Sequence, residues 1–230
     1  MRCRVFTWCR FDVMVSVRIP VRMLSAYLYC PRLPYLMRLG VRREDERSAR
    51  GWRLHEAYVA LSVRVGRRVA GGEPLGEAVD GERDWLVGFL GGLGSPDPVG
   101  EAGFLAWYRA GVPLEGVPVR GEVGVRWGRL VGRVDLVEGG VPVEVKGGAP
   151  RLGDFVQAVA YGVALGAGWV CVDYLGRGRV CLVVGRGAAG YVEGLVGEVM
   201  EAVADPWGVP RRGGGCGGCP YRAECSLVFP

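Results

Sequence analysis

Residues 130–148 read LVGRVDLVEGGVPVEVKGG, and this stretch decides the fold prediction. Apolar and polar residues alternate on both sides of the glycine pair 139–140, which is typical of two strands joined by a tight turn. The resulting hairpin places the apolar residues on one face. It brings Asp135, Glu144 and Lys146 together on the other face.

This register also opposes Leu136 to Val143 and Val134 to Val145, so that all four apolar side chains are expected to share one face. Directly opposed side chains start about 4.5–5.5 Å apart at Cβ. Asp135 and Glu144 would then be opposed like charges, which a divalent cation can neutralise, and oxygen ligands suit Mg²⁺ or Mn²⁺. The alternative is an ordinary hairpin with a solvated polar face.

Lys146 is the only lysine in the chain, although lysine and arginine together number 29. Asparagine is absent, and glutamine and histidine occur once each. This bias suggests a GC-rich genome or, since asparagine and glutamine are thermolabile, a thermophile. An ammonium on a flexible stem differs from a bulky planar guanidinium in how it approaches water or a phosphate. A lysine retained beside two carboxylates therefore indicates a functional role.

The length and composition of the chain limit the classes of protein to which it can belong. A chain of 230 residues can form one large domain or a domain with a subdomain. We find no apolar run of about 18 residues and no apolar signal-peptide block, so we expect a cytoplasmic protein without a membrane partner. A net charge of +5 is compatible with a phosphate-bearing partner.

The order of predicted elements gives a mixed α/β domain with a sheet flanked by helices. Ser25 is expected to cap a helix that Pro31 and Pro34 interrupt. The predicted division is an N-terminal extension and strand at 1–22, a helical segment at 23–79, a helical insert at 80–116, a core at 117–205 and a cysteine-bearing segment at 206–230. Within these segments, helices are predicted at 44–65, 152–165 and 187–204, and strands at 117–127, 130–146, 169–175 and 179–184.

Three further polar residues are candidates for the same site. Gln157 and Tyr161 lie four apart on a predicted helix and therefore share one face. His55 lies within another predicted helix. Each could instead be a structural residue, but the only glutamine, histidine and lysine of the chain all fall where one site could gather them.

The eight cysteines are distributed unevenly. Cys216, Cys219 and Cys225 form a C-x2-C-x5-C pattern, and Cys30 is a distant fourth candidate. Such spacing in a cytosolic protein indicates a metal before a disulfide, either an iron–sulfur cluster or zinc. The other four cysteines fall outside this set. Cys171 and Cys181 are expected to be small core residues in strands, and Cys3 and Cys9 are expected to lie in the N-terminal extension.

Taken together, these motifs resemble the CRISPR-associated iron–sulfur nucleases, the RecB-like enzymes of spacer acquisition that form the fourth family of Cas proteins. The shared pattern comprises an early CPR cysteine, a helical histidine, an aspartate on one strand, Glu-x-Lys on the next, a Q-x3-Y helix and a terminal C-x2-C-x5-C. The matching motifs run from Cys30 to Cys225. One departure is that Val134, not proline, precedes Asp135.

The resemblance implies a PD-(D/E)xK, restriction-endonuclease-like core with a helical insert and a C-terminal iron–sulfur segment joined to an N-terminal cysteine. It implies that a divalent metal is bound by His55, Asp135, Glu144 and the carbonyl of Val145. Lys146 would be the catalytic lysine. It further implies that Gln157 and Tyr161 lie beside the DNA strand. It also implies a cluster, [4Fe–4S] rather than [2Fe–2S], that is held by four cysteines: Cys30, Cys216, Cys219 and Cys225.

The function that follows from the resemblance is a Mg²⁺- or Mn²⁺-dependent exonuclease on single-stranded DNA ends, which processes DNA for the CRISPR integrase. Two alternatives remain open at the level of sequence. One is a RecB-like iron–sulfur nuclease of DNA repair, for which any helicase would be a separate subunit because the chain has no Walker A pattern. The other is a non-catalytic DNA-end-binding protein with a structural metal.

Overall fold

The computed structural model describes residues 17–41, 46–209, 216, 219 and 221–229. The predicted N-terminal extension, with Cys3 and Cys9, therefore lies almost entirely outside the described residues. Within the described part of the chain, no helix combines the length and the apolarity needed to cross a membrane.

The structure is a mixed α/β fold in which helices flank a six-stranded mixed sheet. The helices, in chain order, are α1 (Arg22–Tyr29), α2 (Leu33–Arg38), α3 (Glu46–Ala70), α4 (Leu75–Asp80), α5 (Arg83–Gly92), α6 (Pro98–Gly111), α7 (Leu152–Leu165), α8 (Ala188–Ala204) and α9 (Arg222–Val228). The strands are β1 (Ile19–Pro20), β2 (Val119–Trp127), β3 (Leu130–Glu138), β4 (Val141–Lys146), β5 (Trp169–Tyr174) and β6 (Gly178–Val183).

Strand β3 is the centre of the sheet and has three neighbours. It pairs with β2 antiparallel at every residue from Leu130 to Glu138 except Asp135. Because a strand has only two edges, β1 and β4 must share the other one. β1 lies parallel beside Leu130 and Val131, and β4 lies antiparallel beside the last three residues of β3. Between them, residues 132–135 have no strand on this edge, which leaves a window in the sheet.

The predicted hairpin register is confirmed where the ladder forms, since Leu136 pairs with Val143. The expected common apolar face is wrong for Val134. Leu136 and Val143 pack in one apolar cluster with α3–α6, whereas Val134 packs in another with α1, α7 and α8. The strand thus changes face between Val134 and Leu136, because Asp135 between them pairs with neither β2 nor β4 and the regular alternation is interrupted there.

Helix α3 packs closely on β2. A Cβ added to Gly66 would lie 2.4 Å from the side chain of Val119, and one added to Gly121 would lie 3.0 Å from Val63. Two glycines at these positions therefore let the helix and the strand approach. This approach brings the helical residues before Gly66 over the window in the sheet.

A buried ion network joins the helical insert to the far end of the sheet. Arg109 on α6 donates to Glu138 at 3.1 Å and to the hydroxyl of Tyr58 at 3.2 Å, and Tyr58 donates to Asp173 at 2.7 Å. Arg179 forms bidentate bonds with both Asp173 and Glu138. Two arginines thus neutralise two carboxylates that are fully buried. A buried ion pair with its hydrogen bonds satisfied is costly to break.

Three local predictions are corrected by the structure. Ser25 lies inside α1, which begins at Arg22, so it does not cap the helix. Cys171 is a buried core residue as expected, but Cys181 is exposed; the two are directly opposed on β5 and β6 and form a disulfide. A short helix in the C-terminal segment, α9, was not predicted because it has only seven residues.

The two ends of the described chain pack together. Arg32, between α1 and α2, places its guanidinium 4.5 Å from the ring centre of Phe229 and donates to the carbonyl of Val209 at 3.2 Å. The rings of Tyr35 and Trp207 lie 5.9 Å and 5.0 Å from that of Phe229. The C-terminal segment is therefore held against the helices that flank Cys30.

Candidate metal-binding site

The window beside β3 is where the predicted site residues meet. Asp135 occupies the last position of the window, just before the ladder with β4 begins. Its Oδ2 accepts a hydrogen bond of 2.7 Å from the backbone N–H of Val145. The side chain thus replaces a ladder bond at the point where the two strands separate, which keeps its carboxylate beside β4.

His55 reaches Asp135 from the helical side. Its Nε2 lies 3.1 Å from Asp135 Oδ2, and its Nδ1 lies 3.6 Å from the carboxylate of Glu56. Burial lowers the pKa of His55, but the hydrogen bond and the charge of Asp135 outweigh burial and raise it overall. The expected proximity of the helical histidine and the strand aspartate is therefore observed.

Glu144 comes from the other strand and is almost completely buried, with 3 % of its surface exposed. Its Oε1 accepts hydrogen bonds from Lys146 Nζ at 2.6 Å and from Gln157 Nε2 at 2.7 Å. Its Oε2 is buried without a hydrogen-bond partner. A buried carboxylate oxygen that lacks a partner carries a desolvation cost, which a bound cation would remove.

The electrostatics of Glu144 follow from this burial. Desolvation, with the nearby charge of Asp135, raises the pKa of Glu144 to about 7, even though Lys146 acts in the opposite direction. Without a cation, the site therefore holds a carboxyl group that ionises only with difficulty. A cation would favour the ionised form.

Helix α7 supplies the remaining predicted residues. Gln157 bridges the site, because its Oε1 accepts from Lys146 at 3.3 Å while its amide nitrogen also contacts the hydroxyl of Tyr161 at 3.4 Å. The ring of Tyr161 can approach β3 because Gly132 lies in the window. A Cβ at Gly132 would come within 2.8 Å of this ring. The predicted face of α7 is thus turned towards Glu144 and Lys146.

Glu122 is a candidate ligand that sequence reasoning missed. Ligand atoms of His55, Glu122 and Asp135 all lie within 4.8 Å of one another. Glu122 has a left-handed backbone with φ of 54°, which is strained for a residue with a side chain, and it pairs with Arg133 on β3. The only signal in the sequence was that Glu122 lies on the neighbouring predicted strand. Nothing in the sequence indicated the left-handed backbone conformation of Glu122.

The donor set fits a hard divalent cation. Two carboxylates and one imidazole, those of Glu122, Asp135 and His55, meet at the window; Glu144 lies outside this group but adds a buried carboxylate oxygen that has no hydrogen-bond partner. Oxygen donors with an imidazole suit Mn²⁺ and Mg²⁺. His55, Asp135 and Glu144 would hold the ion. The role of the Val145 carbonyl as a metal ligand stays a prediction, since the group of Val145 that contacts Asp135 in the structure is the backbone N–H.

Two of the four cysteines of the predicted cluster are brought together, one from each end of the described chain. Cys30 and Cys225 pack against the same small apolar cluster around Phe229. Cys219 donates its backbone N–H to the carbonyl of Cys216 at 3.3 Å. No three of their sulfur atoms lie within 4.8 Å of one another. A tetrahedral zinc ion would hold thiolates about 3.8 Å apart, and no three of these sulfurs have that arrangement.

A second group of three potential ligands lies elsewhere, at β5 and β6. It consists of Glu115 and the two members of the disulfide, Cys171 and Cys181. Cys181 Sγ lies 3.7 Å from a carboxylate oxygen of Glu115. Sulfurs joined in a disulfide are not thiolates and do not offer a metal the usual ligand. This group is therefore not a metal site while the disulfide is present.

Comparison of the chain with protein-family models and with curated proteins finds no match to either.

Proposed function

We propose that the protein is a metal-dependent DNA nuclease with a PD-(D/E)xK core, and that it trims single-stranded DNA ends as an exonuclease for CRISPR spacer acquisition in the cytoplasm. The observation that carries the proposal is the buried, unpartnered Oε2 of Glu144 beside Asp135 and Lys146. A hairpin with a solvated polar face would not bury this carboxylate, and a binding module would not need it.

The chemistry divides between the cation and the chain. A divalent cation held by His55, Asp135 and Glu144 would supply Lewis-acid activation of the scissile phosphate and of an attacking water. Lys146 is positioned by Glu144 at 2.6 Å and by Gln157 at 3.3 Å. Its ammonium would stabilise the negative charge that develops on the phosphate.

The single lysine is explained by this arrangement. Nζ of Lys146 fits between Oε1 of Glu144 and Oε1 of Gln157, and its side chain is largely buried. A guanidinium is larger and planar, and it would have to displace one of these two partners. Arginine could replace lysine on the surface of the molecule but not in this space.

The proposal includes a [4Fe–4S] cluster on the four cysteines of the chain ends. Supporting it are the docking of the C-terminal segment beside Cys30 and the contact of Cys30 and Cys225 with one apolar cluster. The cluster would act as a structural link, and the carboxylates with Lys146 would perform the chemistry. The CRISPR integrase would receive the trimmed DNA.

The test is cleavage of a linear single-stranded oligonucleotide with Mn²⁺ or with EDTA. We expect cleavage with Mn²⁺ only, and its loss in Glu144→Gln and in Lys146→Arg, whereas the exposed control Glu77→Gln on α4 cleaves like the wild type. Absence of cleavage by the wild type with Mn²⁺ and with Mg²⁺ on single-stranded and duplex DNA would refute the proposal. Full activity of Lys146→Arg would refute the role of the lysine.

A further inference from the structure

A groove of about 600 Å³ runs between α3, α5 and the start of β2. Its lining includes Glu122, a candidate ligand of the metal site, and Glu56, the neighbour of His55. Farther along α3 and on the facing elements it becomes basic and aromatic, with Arg64, Arg67, Trp85, Phe89 and Arg120. The groove therefore connects the metal site to a surface of opposite charge.

The aromatic wall of the groove is an ordered row of flat groups. The rings of Trp85 and Phe89 stack with centres 5.0 Å apart and planes inclined by 28°. The guanidinium of Arg64 lies 4.3 Å from the ring centre of Trp85, and an ion pair with Glu82 holds it there. Both rings are only partly buried. Flat aromatic and guanidinium surfaces are those on which unpaired bases stack.

The basic side of the groove carries charges that are not neutralised. Arg67 on α3 and Arg120 on β2 are both exposed. Among the described residues, neither guanidinium forms a hydrogen bond or an ion pair, in contrast to those of Arg64 and Arg68, which pair with Glu82 and Glu73. Two unpaired arginines beside an aromatic row provide charge complementarity for a phosphate backbone.

The length of the groove sets the size of its occupant. Glu56 and Arg67 are eleven residues apart on α3, which corresponds to about 17 Å along a helix. A stacked strand carries a phosphate about every 3.4 Å, so the groove would accommodate about five nucleotides, or fewer if the strand is extended.

We propose that this groove binds single-stranded DNA and leads it to the metal site. Phosphates would lie against Arg67 and Arg120, and bases would stack on the row formed by Arg64, Trp85 and Phe89. A duplex does not fit this arrangement, because its base faces are already stacked on one another. The inference rests on the proposed nuclease function for the direction of the strand, but the binding itself needs no cleavage.

The charge contribution is tested by fluorescence anisotropy with a labelled oligodeoxythymidine in EDTA, at several salt concentrations. The double variant Arg67→Gln, Arg120→Gln changes only exposed side chains and should fold like the wild type. We expect weaker binding and a slope of log K against log salt concentration that is smaller by about 0.7 for each arginine, or about 1.4 in total. The control for the loss of one charge is Arg186→Gln, before α8 and outside the groove, which should alter neither the affinity nor the slope, in contrast to Arg67→Gln or Arg120→Gln made singly.

The stacking contribution is tested in two ways. Trp85→Leu should weaken binding by roughly 5- to 150-fold, the range for loss of one stacked base, whereas Trp107→Leu on α6 should not. Because Trp85 also packs on the core, the wild type is examined independently. An oligonucleotide containing 5-iodouracil should form its photo-crosslinks to Trp85 or Phe89.

These outcomes are separable from the failure of the proposed function. If the protein binds the strand through these residues but never cleaves it, the proposal that the groove binds DNA stands and the proposed nuclease function is refuted. A protein that cleaves, yet whose arginine double variant binds with wild-type affinity and salt slope, refutes the groove. Crosslinks found only outside the groove, or duplex bound as tightly as single strand, would likewise overturn the inference.

Discussion

Replacing Glu144 by glutamine should change the pH dependence of stability in the metal-free protein. Glutamine keeps the Oε1 acceptor that binds Lys146 and Gln157 but cannot carry the charge that burial disfavours. The wild-type carboxyl group has a pKa raised to about 7 by desolvation and by the charge of Asp135, compared with 4.5 for the ordinary group. The folded protein therefore binds more protons than the unfolded chain between these two values.

The sign and the magnitude follow from this difference. Because the pKa of the folded acid is raised, its ionisation penalty is absent below about pH 4.5 and grows as the pH rises towards 7. The pKa difference, 7 minus 4.5, corresponds to about 3 kcal/mol of unfolding free energy. The stability of the wild type relative to Glu144→Gln should therefore fall by about this amount between pH 4.5 and 7, and stay constant at higher pH.

The measurement is urea unfolding of both proteins in EDTA at closely spaced pH values, with Glu77→Gln as the matched control. Taking the difference between the proteins removes the groups that titrate identically in both. Mn²⁺ at 100 times its dissociation constant should then restore about 2.7 kcal/mol to the wild type and nothing comparable to Glu144→Gln. A wild-type-minus-variant difference that does not vary with pH would refute the reasoning about the buried carboxylate.

Three further predictions concern other parts of the molecule. His55→Ala should weaken Mn²⁺ binding about 10- to 100-fold in calorimetry, whereas a purely structural histidine would lower only the melting temperature. Arg179→Met should cost about 3–5 kcal/mol in urea unfolding, since it leaves Asp173 and Glu138 buried with fewer partners; a loss below 1 kcal/mol would show that the network contributes little. Cys219→Ala should lose iron and visible absorbance and melt much earlier, and iron-free protein that melts like the wild type would contradict the linking role of the cluster.

Much of the sheet could be predicted from local pattern. The alternation around the two glycines gave the pairing of Leu136 with Val143, and it placed Asp135 and Glu144 on adjacent strands. The helix at 152–165 was predicted with the bounds that the structure shows, because its apolar periodicity is uninterrupted and Gly166 ends it in a left-handed conformation. These features depend on neighbours in the sequence, and therefore the sequence contains them.

The prediction that distant residues share one site came from the family resemblance rather than from the local sequence pattern. A lone histidine in a helix gives no sign of its partner, and the approach of His55 to Asp135 depends on how α3 crosses β2 at Gly66. The same is true of Gln157, which reaches Glu144 because α7 packs against β4. The structure places both pairs within hydrogen-bond distance, and the packing explains why they meet.

The sequence by itself determined most of the elements, the hairpin register and the pair of carboxylates with its lysine, because these arise from alternation, turn glycines and residue chemistry within short stretches. The tertiary structure alone decided the left-handed backbone of Glu122, the disulfide between Cys171 and Cys181, and the change of face at Val134. It also decided that Oε2 of Glu144 is buried without a partner. The disulfide depends on the register of β5 and β6, and the other features depend on how distant segments pack against a given residue, which no local pattern records.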